Sequence, residues 1–175
     1  MEPAVAQSIL VRPAVPADID AIRAIAAAAW RTTYVVLIDA GAVERYLAQA
    51  YAPERLEVRL GRDEVLVAVL PERATGSPPD AFAEIVDQGD HVQLVAIYTW
   101  PTARGRGLGT ALLEAVLARN PGRDLAADVL VGNTLGEPFY VARGFEPGEE
   151  LEDEIAGEPV RERRWWLRAS PELGA

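Results

Sequence analysis

The stretch WPTARGRGLGTALLEA, residues 100–115, decides the fold expected of this chain. It places a glycine-rich turn directly in front of an apolar run with helical spacing. Glycine lets backbone N–H groups approach an anion closely, and the start of a helix presents unpaired amides and the positive end of its dipole. The stretch therefore predicts a phosphate site at the start of a helix. Its glycines and arginines are Arg104, Gly105, Arg106, Gly107 and Gly109.

Several kinds of phosphate-binding turn compete for this stretch. A Walker A loop requires a lysine, and the turn has none. A dinucleotide fingerprint requires G-x-G-x-x-G; Gly105 and Gly107 fit, but Thr110 stands at the last position. That fingerprint also follows the first strand of a βαβ unit, whereas this turn follows a predicted hairpin. A tight strand-to-helix turn without a ligand is a further alternative.

Composition favours one globular domain over residues 1–175 and excludes several chemistries. Half of the 175 residues are hydrophobic and 25% are charged, which suits a chain with a buried core. There is no cysteine, all 17 basic residues are arginine, and His91 is the single histidine. Disulfides, cysteine nucleophiles, Schiff-base lysines and multi-histidine metal sites are therefore excluded, and no metal is expected.

The acidic balance argues against a nucleic-acid partner. The formal net charge is −10, whereas phosphate contacts need a surplus of basic residues. The N-terminal sequence MEPAVAQSILVRP lacks the basic and long apolar regions of a signal peptide. No stretch approaches the roughly 20 apolar residues that span a membrane. We therefore expect a cytoplasmic protein with no membrane partner.

Periodicity predicts an α/β fold with a mixed sheet. Residues 71–80 are expected to form an exposed loop, and the QGD turn at 88–90 a hairpin. Strands are predicted at residues 9–12, 64–70, 81–87, 91–99, 125–131 and 160–168. Helices are predicted from Pro16 past Trp30, from an Asp39 cap to Ala50, at 52–61, from the glycine turn to Arg119, and at 134–143.

Two segments near the C-terminus each have both a structural and a functional interpretation. The acidic run EPGEELEDEIAGEP, residues 146–159, is expected to be a solvated loop, although it could attract a cationic acceptor such as a polyamine. Arginine mixed with aromatic residues in RERRWWLR, residues 161–168, can indicate nucleic-acid stacking. With this acidic balance, alternation on an edge strand is the preferred explanation, and packing across a dimer interface is another.

Two motifs resemble the signatures of the GNAT (GCN5-related N-acetyltransferase) superfamily. The pattern R-x-x-G-x-G resembles the acetyl-coenzyme A pyrophosphate loop of that family. Residues 131–147, VGNTLGEPFYVARGFEP, resemble its second signature, N-x-x-A-x-x-x-Y-x-x-x-G-F, with Gly136 in place of the usual alanine. The residues that carry the two resemblances are Arg104, Gly107, Gly109, Asn133, Tyr140, Gly144 and Phe145.

The resemblance covers about residues 9–168 and implies both a fold and an activity. The implied fold is α/β (α+β), with a mixed central sheet of about six to seven strands flanked by helices. The segments WRTTY and LVAIYTWPTARGRGLG are similar to a bacterial subgroup without an assigned substrate. The implied activity is acetyl transfer from acetyl-coenzyme A to a primary amine, with a small-molecule acceptor and a possible homodimer. A non-catalytic acyl-coenzyme A sensor or partner-binding module on the same fold is the alternative.

The resemblance also implies how the cofactor is held. The backbone of Ile97 and Thr99 would pair with pantetheine as a further strand. Asn133 would hydrogen-bond the pantetheine arm or the pyrophosphate end, cap a helix, or do both. The residues expected around the pyrophosphate are Arg104, Gly105, Arg106, Gly107, Leu108, Gly109 and Thr110.

Tyr140 is the candidate general acid. Without cysteine or lysine, a covalent acyl-enzyme is not expected, so the acceptor amine attacks the thioester directly. A phenol with an ordinary pKa of about 10 can donate its proton to the departing thiolate. Packing of Tyr140 as a core aromatic beside Phe139 is the alternative.

The general base is less clear from the sequence. Gln93 stands where several GNAT members carry a glutamate, and glutamine cannot accept the proton. The hairpin spacing predicts Glu84 opposite Gln93 on the same face, so Glu84 is the candidate base, directly or through water. A role for Glu84 as a solvated strand residue or an ion-pair partner is an equal alternative. Asp128 and His91 are weaker candidates, and a low-pKa amine would need no base.

Trp30 and Tyr34 are expected on one face of the first helix, since they are four residues apart. In this architecture the segment after the first helix walls the acceptor site. Together with Gln93, they are candidates to bind the acceptor. Core packing of the two aromatic residues is an equal alternative.

Overall fold

Seven strands form one mixed sheet in a computed structural model that describes residues 8–169. The strands are β1 (Leu10–Pro13), β2 (Val65–Val69), β3 (Ala81–Asp87), β4 (Val92–Thr99), β5 (Leu125–Leu130), β6 (Glu146–Ile155) and β7 (Glu158–Leu167). Their spatial order is β1-β2-β3-β4-β5-β7-β6. The β4–β5 pair is parallel and the other described neighbours are antiparallel. The mixed sheet of the prediction is confirmed.

Five helices flank the sheet, which confirms the predicted α/β class. The first three pack on one face and the last two on the other. They are α1 (Ile19–Thr33), α2 (Ala40–Ala50), α3 (Pro53–Gly61), α4 (Leu108–Arg119) and α5 (Gly136–Val141). We call the face under α1–α3 the front face and the face under α4 and α5 the rear face.

Local sequence signals fix where the helices begin. The carboxylate of Asp18 accepts hydrogen bonds from Arg12 at 2.6 and 2.9 Å and from the Val15 amide, and this holds the turn before α1. Asp39 caps α2 as predicted, accepting a hydrogen bond from the Ala42 amide at 3.2 Å. Two acidic side chains thus fix the turn before α1 and the start of α2.

Strand β2 lies at the centre of the core, and all five of its residues are buried. Val65 and Val67 pack on the front-face helices, while Leu66 and Ala68 pack on the rear-face helices. Full burial of a Val or Leu side chain contributes about 1.5–3 kcal/mol. The continuous apolar run thus joins the two layers of helices to the sheet.

Strands β4 and β5 pair at one end and part at the other. Their register covers Val92–Leu94 of β4, whereas β4 continues to Thr99. A bulge accompanies the parting, because Ile85 of β3 lies opposite Leu94 while its neighbour Glu84 lies opposite Ala96. The extra residue in β4 is Val95. The parting opens a wedge in the middle of the sheet.

The predicted register of the β3–β4 hairpin is wrong. Glu84 lies opposite Ala96 rather than opposite Gln93. The predicted register requires Asp87 to pair with Asp90, whereas Asp87 pairs with Val92 and leaves residues 88–91 as the turn. Within this longer turn the Asp87 side chain accepts a hydrogen bond from the Gly89 amide at 2.8 Å. The longer turn and the bulge together move Glu84 away from Gln93.

The acidic run predicted as a loop is strand β6, and the arginine-rich strand β7 is not at the edge of the sheet. Ile155 pairs with Glu158 across a two-residue turn in which Ala156 and Gly157 have φ of 50° and 92°. Both expectations are wrong for one reason: β6 forms the edge, where charged residues discourage pairing with another chain. Glu150 of β6 also pairs with arginines of β7.

Candidate active site

A cavity of about 460 Å³ occupies the wedge between β4 and β5. It runs from the start of α4, past α5, to the end of α1. Most of the site residues predicted from the sequence line it: Tyr34, Ile97, Thr99, Arg104, Gly105, Gly107, Leu108, Gly109, Thr110, Asn133 and Tyr140. Strands that are far apart in the chain therefore bring the two sequence motifs into one site.

The glycine turn has a backbone that only glycine adopts easily. Gly105 and Gly107 have φ of 75° and 86°, and Gly107 lies directly before α4. No side chain caps α4, so the N–H groups of its first turn are left for a ligand. Glycine at position 109 is required for its size rather than for its backbone angles. A Cβ there would lie 2.8 Å from Cε2 of Phe139. The turn thus combines free amides with a close approach of α5.

Two arginines face the cavity beside this turn. Arg104 is held by hydrogen bonds from its guanidinium to the hydroxyls of Thr32 and Thr33, at 3.4 and 3.2 Å. Arg143 donates to the Thr110 hydroxyl at 2.5 Å and stacks over the Phe139 ring at 3.7 Å. Both supply local positive charge in an acidic protein.

Arg106 does not join them. Its guanidinium pairs with Glu72 at 2.5 Å on an exposed part of the surface, outside the cavity lining. Arg104 and Arg106 are separated by Gly105, whose φ of 75° reverses the local backbone, and their side chains face different sides of the turn. The Arg106 side chain therefore does not line the cavity, and its contact with the pyrophosphate stays a prediction.

The second half of β4 presents free backbone groups to the cavity. The Trp100 amide donates to Asp80 of the preceding segment at 3.0 Å, so residues 98 and 96 share its orientation toward β3. Ile97 and Thr99 therefore direct their N–H and C=O groups the other way, into the wedge. No strand of the described chain covers that side.

Asn133 organises the inner wall of the cavity. Its side-chain oxygen accepts hydrogen bonds from the amides of Leu135 and Gly136, at 3.2 and 2.9 Å, at the start of α5. Its amide nitrogen donates to the Tyr34 hydroxyl at 3.4 Å. A Cβ at Gly136 would lie 2.8 Å from that nitrogen, so glycine makes room for the amide. The helix-cap role of Asn133 is thus present in the structure.

Tyr140 lies where α5 meets the wedge. The residue is only 7% exposed, and its ring packs edge-on against Phe139 and Phe145. Burial raises the pKa of Tyr140 well above its ordinary value, and the nearby hydroxyl of Tyr34 and carboxylate of Asp128 add to the effect. The phenol therefore keeps its proton throughout the physiological pH range.

A comparison with known families agrees with this geometry. The sequence model of the acetyltransferase (GNAT) domain family matches residues 61–147, which include the glycine turn, the wedge strands and α5. The chain is a GNAT protein. No curated protein sequence matches it at a significant level.

Solved structures share the fold along nearly the whole chain. PaiA N-acetyltransferase from Thermoplasma acidophilum, in complex with coenzyme A, is 20% identical with a TM-score of 0.73 over 89% of this chain and 98% of that one. A GCN5-related N-acetyltransferase from Rhodopseudomonas palustris is 22% identical, with a TM-score of 0.74 over 97% and 100%. YncA from Salmonella typhimurium, with its cofactor acetyl-CoA, is 20% identical, with a TM-score of 0.64 over 95% and 96%.

Glu84 of this GNAT protein is not part of the cavity. It is 4% exposed on the front face of β3, where Arg59 of α3 donates to its carboxylate at 2.5 Å. Arg59 also binds the carbonyl of Ala50. The role predicted for Glu84 as the base is contradicted by this placement, and the ion-pair alternative describes it.

Gln93 lies in a hydrogen-bonded chain on the front face. Its amide nitrogen donates to Asp128 at 3.1 Å, and its oxygen lies 3.3 Å from the His91 ring. Asp128 lines the cavity and accepts two further bonds from Arg164, at 2.7 and 2.8 Å. Gln93 thus reaches the site through Asp128 rather than by lining it.

The two aromatic residues of α1 have different positions. Tyr34 lines the cavity, whereas Trp30 is 3% exposed and belongs to the front-face core. Their rings stack with centroids 4.3 Å apart, and Tyr46 packs on Trp30 from α2. The prediction that Trp30 binds the acceptor is contradicted; its ring supports Tyr34.

Two functional candidates were missed by sequence analysis. Arg143 follows Tyr140 by three residues, so helical spacing next to the second signature was the available signal. Glu162, on β7, is half-buried on the front face, and burial together with Asp128 and Asp153 raises its pKa to about 7. No sequence signal marks Glu162, because its environment depends on strand order.

Residues 8–169 contain neither a metal-binding cluster of acidic and histidine side chains nor a helix that could span a membrane.

Proposed function

We propose that this GNAT protein transfers the acetyl group of acetyl-coenzyme A to a primary amine by direct attack in a ternary complex. The observation that carries the proposal is one cavity that joins the glycine turn to Tyr140 along the open side of β4. Two solved structures of the same fold, with coenzyme A or acetyl-CoA bound, support the choice of donor.

The cavity has the groups that a coenzyme A molecule requires. The free amides of the glycine turn, with Arg104 and Arg143, would hold its diphosphate. The unpaired backbone of Ile97 and Thr99 would hydrogen-bond the amides of the pantetheine arm, as a neighbouring strand does. Asn133 also lines the cavity, and its amide nitrogen would donate a further hydrogen bond to the pantetheine arm.

Tyr140 would protonate the leaving sulfur. Its phenol is protonated at neutral pH and lines the inner part of the cavity. With Arg104 holding the phosphate end, an extended donor would place its thioester near Tyr140 and Asp128. The acceptor amine would enter from the front face, beside Tyr34. The acceptor would be a small molecule that enters this cleft between the strands.

The proposal is tested by thiol release from acetyl-coenzyme A with a panel of primary amines. We expect Tyr140→Phe to lower kcat at least 100-fold while coenzyme A binds as tightly as before, because only proton transfer is lost. Tyr51→Phe is the matched control, since Tyr51 is equally buried but lies outside the cavity. Unchanged kcat in Tyr140→Phe would remove Tyr140 from this role. Coenzyme A binding without thiol release from any amine would indicate the acyl-coenzyme A sensor instead.

A further inference from the structure

Asp128 lines the cavity, and both of its carboxylate oxygens already accept hydrogen bonds. Asp128 accepts hydrogen bonds from Arg164 on both oxygens, and its Oδ2 also accepts from Gln93. Glu84 is likewise bound to Arg59, so each of these two carboxylates already has a cation partner.

Glu162 is the neighbouring carboxylate that remains available. Strand β7 lies directly beside β5, with Arg164 opposite Asp128 and Glu162 opposite Leu130. Residues two apart in a strand point to the same face, so Glu162 and Arg164 share the front face with Asp128. Glu162 itself is not among the cavity-lining residues, but it is one diagonal step from Asp128 and within electrostatic range of Tyr34, and both of these residues line the cavity.

Arg164, the arginine that shares the front face of β7 with Glu162, pairs with other carboxylates. It binds Asp128 at 2.7 Å and lies 3.7 Å from a carboxylate oxygen of Glu149. Within residues 8–169, no arginine or histidine lies within ion-pair distance of Glu162. A half-buried carboxylate without a cation beside it is an attractive site for an incoming ammonium group.

The groups around Glu162 come from every element that packs against it. They are Asp128 of β5, Asp153 of β6, Arg164 of β7, Tyr34 of α1 and Tyr46 of α2. Burial, followed by the two acids, raises the pKa of Glu162 to about 7, while Arg164 lowers it. The two phenols stay neutral, since burial raises the pKa of Tyr34 and raises that of Tyr46 to about 12.

We propose that Glu162 binds the ammonium group of the acceptor and takes its proton before the amine attacks. The proposal rests on the proposed acetyl transfer and assigns its acceptor to the class of primary alkylamines, which are cationic at neutral pH. Tyr34, whose ring lines the cavity, would lie beside the same ammonium group.

The proton and electron balance is complete with these residues. Glu162 takes one proton from the ammonium, and the amine lone pair forms the C–N bond at the thioester carbonyl. As the C–S bond breaks, the sulfur takes the proton of Tyr140, and the second amine proton restores the phenol. Glu162 then releases its proton to water, so one proton leaves per amide formed.

The first experiment compares pH profiles of kcat/KM for wild type, Glu162→Gln and Glu162→Asp, with primary alkylamines graded by the pKa of their ammonium groups. We expect the wild-type rate to fall below about pH 7, as Glu162 becomes protonated. Glu162→Gln should lose at least 100-fold at pH 7 with the most basic amines and progressively less with weakly basic ones. Glu162→Asp should recover part of the rate. Glu146→Gln, an exposed position on β6, is the matched control.

The second experiment measures the ionisation of the Glu162 carboxyl group directly and does not depend on turnover. In protein labelled with ¹³C at glutamate carboxyls, the resonance lost in Glu162→Gln should titrate near pH 7. A resonance that titrates with the exposed glutamates, or a Glu162→Gln variant with the wild-type pH profile, overturns the proposal. Failure of the proposed function looks different: wild type would bind no coenzyme A, or release no thiol with any amine.

Discussion

At the scale of single residues, the ionised form of Glu162, which would accept the proton of the amine, should lower the stability of the folded protein. Its pKa is about 7 in the folded protein, above the ordinary value of 4.5, so the folded state holds the proton more tightly than the unfolded state. The contribution of Glu162 to folding is therefore most favourable below pH 4.5 and becomes less so as pH rises through 7. Active-site groups commonly carry this kind of penalty.

Glu162→Gln should consequently stabilise the protein at alkaline pH. We expect a gain of about 1–2 kcal/mol in the free energy of unfolding at pH 8, discounted from the full shift because the side chain is only half-buried. The gain should disappear near pH 4.5. Urea unfolding of wild type and Glu162→Gln at both pH values measures it. A gain that is equal at the two pH values would indicate packing rather than ionisation.

Sequence motifs identified the residues that act through local backbone geometry. The glycine turn and the Asn133–Tyr140 spacing lie in single contiguous segments, so their geometry is fixed locally. Glu162 and Trp30 depend on which face of the sheet or helix meets the cavity. That information comes from strand order, and it could not be obtained without knowing that residues 146–155 form a strand.

At the scale of elements, α3 is attached to β3 through a buried ion pair. Arg59 joins the Glu84 carboxylate and the Ala50 carbonyl, and its guanidinium lies 5.5 Å from the centre of the Tyr51 ring. This contact explains why the base expected at Glu84 is absent from the site. The bulge and the longer hairpin turn, which propensities do not reveal, set that position.

Arg59→Ala should destabilise the protein by about 3–5 kcal/mol, because it leaves the Glu84 carboxylate buried without a cation. The matched control is Arg55→Ala, one turn earlier on the exposed side of α3, which should change stability by less than about 0.5 kcal/mol. Thermal or urea unfolding gives both values. Equal effects of the two substitutions would show that the buried pair contributes nothing specific.

At the scale of the whole molecule, the order of the elements was predictable and the C-terminal hairpin was not. Nearly continuous apolar runs mark β2, β3, β4 and β5, because most of their residues are buried on both faces of the sheet. Strand β6 is mostly exposed, so its composition is that of a solvated segment although its backbone is paired. Edge strands are the elements for which hydrophobic patterning carries least information.

The open side of β4 gives a prediction for amide hydrogen exchange. In the free protein the N–H groups of Ile97 and Thr99 face the wedge and should exchange rapidly with solvent. Coenzyme A should slow both, since its pantetheine amides would replace the missing strand. The Tyr98 amide, which faces β3, is the internal control and should change little. Equal protection of all three amides would point to a general stabilisation.

The parting of β4 from β5 has a consequence for how the protein unfolds. The sheet is joined across its middle by three residue pairs, so without a donor its two halves are held together mainly by the side chains of the two cores that pack across the wedge. A donor molecule that spans the gap would act as a removable crosslink between an N-terminal and a C-terminal half. Cooperativity of unfolding, and not only its midpoint, should then report whether the donor is bound.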